Sequence, residues 1–158
     1  MINMATTSQI SGLRIKKLNI ASIFLDFIYS GRKIMPSEKL YFAEETLYRI
    51  GNGSSSRIAN VRDREIDTIQ INGIEVVKAN GRGVSLYSRE GLDLAPLSGW
   101  VWEIPPNYKF PVGLKLIKDD SPLGHYTVAP AANMPKSQFI GLLEQVALVC
   151  KKAFKKKA

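Results

Sequence analysis

The run Ile66-Asp67-Thr68-Ile69-Gln70-Ile71-Asn72-Gly73-Ile74-Glu75-Val76-Val77 holds two stretches rich in β-branched residues on either side of Asn-Gly. Both turn residues tolerate positive φ, which a two-residue type I′ turn requires, so the stretch predicts a hairpin of Ile66 to Ile71 with Ile74 to Val77. Further short β-prone runs lie on both sides of it. Thr46 to Ile50 leads into the polar loop Gly51-Asn52-Gly53-Ser54-Ser55-Ser56, and Val84 to Ser88, Trp100 to Ile104, Leu114 to Lys118 and His125 to Val128 are separated by Gly, Pro and Asp-rich turns. Strands this short, joined this tightly, pair with their neighbours in antiparallel fashion.

Two segments carry helical periodicity instead. Ile20, Ile23, Phe24, Phe27 and Ile28 share one helical face with Asn19 as a candidate cap. After Pro135, the residues Phe139, Leu142, Leu143, Val146, Val149 and Cys150 form an apolar stripe on a helix expected to start at Ser137. The expected fold class is therefore α+β, a mainly antiparallel β core with flanking N- and C-terminal helices.

A chain of 158 residues is long enough for one core, and it shows neither an internal repeat nor a linker, so a single domain over 1–158 is expected. Within it, 1–40 is a divergent helical extension, 46–134 the core, and 137–157 the terminal helix with a basic tail. Hydrophobic residues make up 45% of the chain and charged residues 23%, which argues against general disorder. The single Cys150 excludes an internal disulfide, and with no zinc-ligand spacing nearby no metal site is expected.

Basic Arg14, Lys16 and Lys17 precede the apolar run Ile20 to Tyr29, the order found in an export leader. Asp26 interrupts that run, no small-residue cleavage site follows, and the run falls short of the roughly 20 residues a membrane helix needs. Neither export signal nor membrane insertion is read from it, and a reducing, cytoplasmic setting is expected. The formal charge is +8, but Lys151, Lys152, Lys155, Lys156 and Lys157 supply five of these charges and leave +3 for the remainder. The basicity reads as the solvated end of the last helix. If the tail steers an acidic partner, truncation after Ala153 reduces the salt dependence of association and leaves inhibition largely intact.

No Walker loop, dinucleotide glycine fingerprint, metalloprotease motif or nucleophile elbow occurs, which excludes several common enzyme classes. Three residues stand out chemically. Arg49 lies on a strand just before the glycine-rich loop, and a planar guanidinium suits a diphosphate. Ser85 occupies a strand and points away from Val84 and Leu86, but serine is a poor nucleophile without an adjacent base. His125 is the only histidine and so a candidate acid, base or ligand-orienting group.

These stretches together resemble the small type VI secretion effector toxins of Pseudomonas. The similarity begins at Thr46-Leu47-Tyr48-Arg49 and resumes at Gly83-x-Ser85-Leu86-Tyr87-x-Arg89-x-Gly91. It continues through Ile104-Pro105, Pro111, Leu114-Lys115-Leu116 and Asp119, then His125-Tyr126-Thr127, Pro130-Ala131 and Met134. Residues 1–40 carry none of it.

The resemblance implies an ADP-ribosyltransferase-like fold, with NAD as cosubstrate, in a toxin that acts in the target cell's cytoplasm. It implies a secretion-system carrier for delivery and a cognate immunity protein that protects the producer. In that frame Arg49, Ser85 and His125 are the expected catalytic set, and Arg49, Ser85 and Tyr87 the expected NAD contacts. The late glutamate that polarises the nicotinamide ribose has no counterpart, since Glu103 lies in the wrong local pattern and Glu144 on the last helix. Two other functions remain open: an RNase or other nucleic-acid-targeting toxin using His125 with basic side chains on phosphate, and a non-enzymatic interaction module.

Overall fold

The computed structural model describes residues 40–158, so the helix expected around Ile20 to Ile28 lies outside the described residues. The central sheet has six strands: β1 (Leu47–Gly51), β4 (Val84–Tyr87), β5 (Gly99–Ile104), β6 (Leu114–Lys118), β7 (His125–Pro130) and β9 (Lys151–Lys156). They lie in the order β6-β7-β4-β1-β5-β9, each antiparallel to its neighbours. A second antiparallel sheet, in the order β2-β3-β8, contains β2 (Thr68–Ile71), β3 (Ile74–Val77) and β8 (Met134–Pro135). With helices α1 (Arg89–Leu94) and α2 (Lys136–Ala147), the architecture is α+β and mainly antiparallel.

The Asn-Gly hairpin forms as the sequence predicts. Ile71 pairs with Ile74, and Asn72 and Gly73 have φ of 51° and 80°, both in the left-handed region a type I′ turn demands. The first strand starts at Thr68 rather than Ile66, because Ile66 is buried just after the 3-10 turn Asp63–Glu65.

Period-two burial fixes the faces of β4. Val84 and Leu86 are fully buried while Ser85 and Tyr87 are half-buried, which leaves the latter two on the face that carries the site. Phe139, Leu143 and Val146 bury the inner stripe of α2, which packs on β3 and β8. The helix α1, unforeseen from the sequence, is capped by Ser88 Oγ accepting from Gly91 N at 3.0 Å, and it packs on β1 and β4.

The lysine-rich tail departs from its expected form. Helix α2 ends at Ala147, and Lys151–Lys156 runs as an edge strand along β5. Alternation explains the change: Phe154 faces inward to join Tyr48, Leu92 and Val101, while Lys151, Lys155 and Lys157 stay exposed. Lysines on a sheet edge also disfavour further strand addition. The tail is therefore part of the fold and cannot be removed as a detachable charge. Among the described residues, no helix is long and apolar enough to cross a membrane.

Candidate functional site

The β4–β7 ladder pairs Ser85 with Thr127 and Tyr87 with His125. Paired residues in antiparallel strands share a face, so Ser85 and His125 are diagonal neighbours within side-chain reach. His125 Nε2 lies 2.8 Å from Ser85 Oγ, and its Nδ1 lies 2.6 Å from Asp119 Oδ1. Asp119 Oδ2 accepts a hydrogen bond from Thr127 Oγ1 at 2.8 Å, and Oδ1 accepts another from Ser121 N at 3.3 Å. Partial burial pushes the Asp119 carboxyl up, but hydrogen bonds from His125, Thr127 and Ser121 hold it below its usual value.

The turn between β6 and β7 delivers both partners. Asp120 Oδ1 accepts from Gly124 N at 2.9 Å, His125 N donates to Pro122 O at 2.9 Å, and Asp120 N donates to His125 O at 3.1 Å. Against this turn Gly91 and Gly124 make a close approach. A Cβ on Gly124, whose φ is +80°, would meet Gly91 Cα at 2.5 Å and Ser88 Oγ at 2.5 Å.

Arg49 plays a more structural part than its sequence position implies. It is only 7% exposed, and its Nη1 donates to Ser85 O at 3.0 Å while Nη2 donates to Arg57 O at 3.1 Å. These bonds tie the polar loop to β4 beside Tyr48–Tyr87, the register pair joining β1 to β4. Burial lowers the guanidinium's pKa from its very high ordinary value and does not discharge it near neutrality. Its Nε is buried without a hydrogen-bond partner among the described residues.

Two cavities open on this face. One of about 280 Å³ is lined by Arg49, Arg57, Arg62, Arg64, Ser85 and Tyr87, among others. The other, of about 410 Å³, is lined by Arg62, Arg64, Glu65, Arg82, Ser85 and His125, among others. Ser85 belongs to both. Arg62 Nε is 2.7 Å from Glu65 Oε2, and Arg82 Nη1 is 2.8 Å from Asp67 Oδ1. Arg57 and Arg64 have no ion-pair partner among the described residues, so the cleft presents uncompensated positive charge.

Tyr87 completes the site, its ring edge-on to His125 with centroids 5.3 Å apart. Burial raises its phenol pKa, which keeps the ring neutral. Arg49, Ser85, Tyr87 and His125 thus lie next to one another in the structure. Asp119, Arg57, Arg62 and Arg64 carry no assigned role in the sequence reading, where Gly81-Arg82-Gly83 reads as a tight turn in preference to a fragment of a phosphate-binding loop. Asp119 shows in the sequence as a position of the family resemblance, six residues before the sole histidine; Arg57, Arg62 and Arg64 lie in a segment whose path a sequence does not reveal. Glu103 and Glu144 line neither cavity, and Glu65 is the glutamate that does. Among the described residues, no group of three His, Cys, Asp or Glu could hold a metal ion.

No protein-family profile matches the chain, and no curated protein is significantly similar to it.

Proposed function

We propose that the chain is a bacterial cytotoxin acting in the target cell's cytoplasm, with an ADP-ribosyltransferase-like fold and a cleft that takes NAD as cosubstrate. The observation that carries this reading is the position of Ser85, shared between a cavity walled by Arg49, Arg57, Arg62 and Arg64 and a second one containing His125. Unpaired guanidinium groups at one side of a reactive hydroxyl suit a substrate with a diphosphate next to its reacting centre. Arg57 and Arg64 are the groups left to bind phosphate oxygens. Arg49 holds Ser85 in place through the backbone. Tyr87 supplies an apolar wall beside the histidine.

A producer of such a toxin requires an immunity protein. A small acidic protein that covers the arginine-lined cleft meets that need, with the exposed lysines of β9 speeding its approach. Delivery requires a secretion-system carrier.

The decisive experiment incubates the purified full chain with NAD and with labelled NAD in the presence of a target-cell lysate. Nicotinamide release or transfer of label is expected, with either lost in Arg64→Ala. Intact NAD together with rapid RNA cleavage would replace this reading by a nuclease acting through His125.

A further inference from the structure

We propose that Ser85 is a nucleophile, activated by His125 and oriented by Asp119, and that it forms a covalent seryl intermediate with the ADP-ribosyl group of the bound dinucleotide. The proposal rests on the NAD reading for its electrophile but on geometry alone for its nucleophile.

Hydrogen-bond direction decides the point. Both oxygens of Asp119 accept hydrogen bonds, Oδ2 from Thr127 and Oδ1 from Ser121 N and from the imidazole. A carboxylate so held only accepts, so the proton between it and His125 sits on Nδ1. With the ring neutral, the lone pair is on Nε2, and its 2.8 Å separation from Ser85 Oγ is one at which the hydroxyl can donate to it. This is the arrangement a serine needs to lose its proton as it attacks: a base in reach and a third group that fixes the base. The histidine side chain is 13% exposed, which limits competition from water for Nε2.

The relay also meets a chemical shortage in the cleft. Its one glutamate, Glu65, is engaged by Arg62, so no free carboxylate among the cavity-lining residues is available to stabilise a ribosyl cation. A covalent acceptor on the sugar is the alternative way to divide the barrier, as in retaining glycoside hydrolysis.

In the first step Ser85 Oγ bonds to C1′ of the nicotinamide ribose and the C1′–N bond breaks. Its electron pair leaves with neutral nicotinamide, and the hydroxyl proton passes to His125 Nε2. In the second step water, or an acceptor hydroxyl, bonds to C1′ and releases its own proton to solvent. The Oγ–C1′ bond breaks as that bond forms, its electron pair staying on Oγ, and His125 returns its proton to Oγ. Two inversions give net retention at C1′.

Two arms test this on the full chain. The first uses a fluorophosphonate probe, which reports an activated serine without any dinucleotide. Labelling of Ser85 is expected, slowed about a hundredfold or more in His125→Ala. Asp119→Asn should slow it strongly, whereas Asp119→Glu should restore part of the rate, which a purely structural role would not produce. NAD should protect Ser85 in the unmodified protein. The second arm quenches the reaction with NAD in acid and seeks an ADP-ribosyl group on the Ser85 peptide. Absent labelling, or labelling indifferent to His125→Ala, overturns the nucleophile. Nicotinamide release that continues undiminished in Ser85→Ala overturns the intermediate and leaves the NAD reading standing. Ser85 labelling without NAD protection or turnover overturns the NAD reading, and the ADP-ribosyl adduct with it.

Discussion

Ser85 and His125 sit two residues out of register on adjacent antiparallel strands, and that offset brings Oγ and Nε2 to 2.8 Å. Their contact therefore depends on the β4–β7 register, which is maintained at the entrance to β7 by Ser88 N donating to Gly124 O at 2.8 Å.

Gly124→Ala should damage the site without touching a site residue. The added methyl would meet Gly91 Cα and Ser88 Oγ at 2.5 Å, and the φ of +80° is itself unfavourable for alanine. A loss of about 1–3 kcal/mol is expected from strain and displacement. Chemical denaturation measures it, and the His125 ring resonances should shift in the same variant. Unchanged resonances would show that the close approach does not position the histidine.

Arg49→Ala should act chiefly on stability. It strands two carbonyls, Ser85 O and Arg57 O, that now accept from a buried guanidinium, and it opens a void behind the cleft. The cost should be about 3 kcal/mol. Arg49→Lys should recover part of it only, because one ammonium does not reproduce the fork between the two carbonyls. Equal stability of the lysine variant and the parent protein would remove the structural role assigned here.

Much of the β framework is legible in the sequence because local chemistry governs it. Asn72-Gly73 selects its own turn, and Leu114–Lys118 forms as read. Arg49, Ser85 and His125 stand out in the sequence by residue type and position, whereas Tyr87 enters only through the family resemblance. Their assembly is not legible, because it depends on pairing between positions 40 apart, and Asp119 acquires its role only when the β6–β7 turn folds it back onto the ring. The tail misleads for another reason. Five lysines dominate its composition, whereas the deciding residue is Phe154, whose burial on Tyr48 and Val101 sets a period of two.

Asp119 should make the fold acid-sensitive. Its carboxyl pKa is lowered in the folded protein, so the folded state binds fewer protons than the unfolded state and stability rises with pH through this range. The contribution is fully present above the unfolded value of about 3.9 and is lost as pH falls through the folded value. Urea titrations between about pH 5 and pH 2.5 should show a steeper loss for the parent protein than for Asp119→Asn. Parallel curves would show that the aspartate is not stabilised as a carboxylate.

Charge steering by the tail must be tested without cutting it. Truncation after Ala153 removes Phe154, which packs 6.4 Å from the Tyr48 ring between centroids and lies under the Arg89 guanidinium at 4.8 Å. It also removes Lys156, whose Nζ donates to Ala95 O at 2.9 Å and Leu97 O at 2.8 Å, and it leaves part of β5 unpaired. Loss of the half-buried Phe154 side chain alone should cost about 2 kcal/mol, so the truncated chain should be markedly less stable. Replacing Lys151, Lys155 and Lys157 by Gln removes three exposed charges and keeps both Phe154 and the two lysines that bind backbone carbonyls. With an acidic neutralising partner, that variant should associate more slowly at low salt and show a flatter dependence on ionic strength, with dissociation little changed. Stopped-flow association of the triple variant indistinguishable from that of the parent protein would assign the attraction to the arginine-lined cleft instead of the β9 edge.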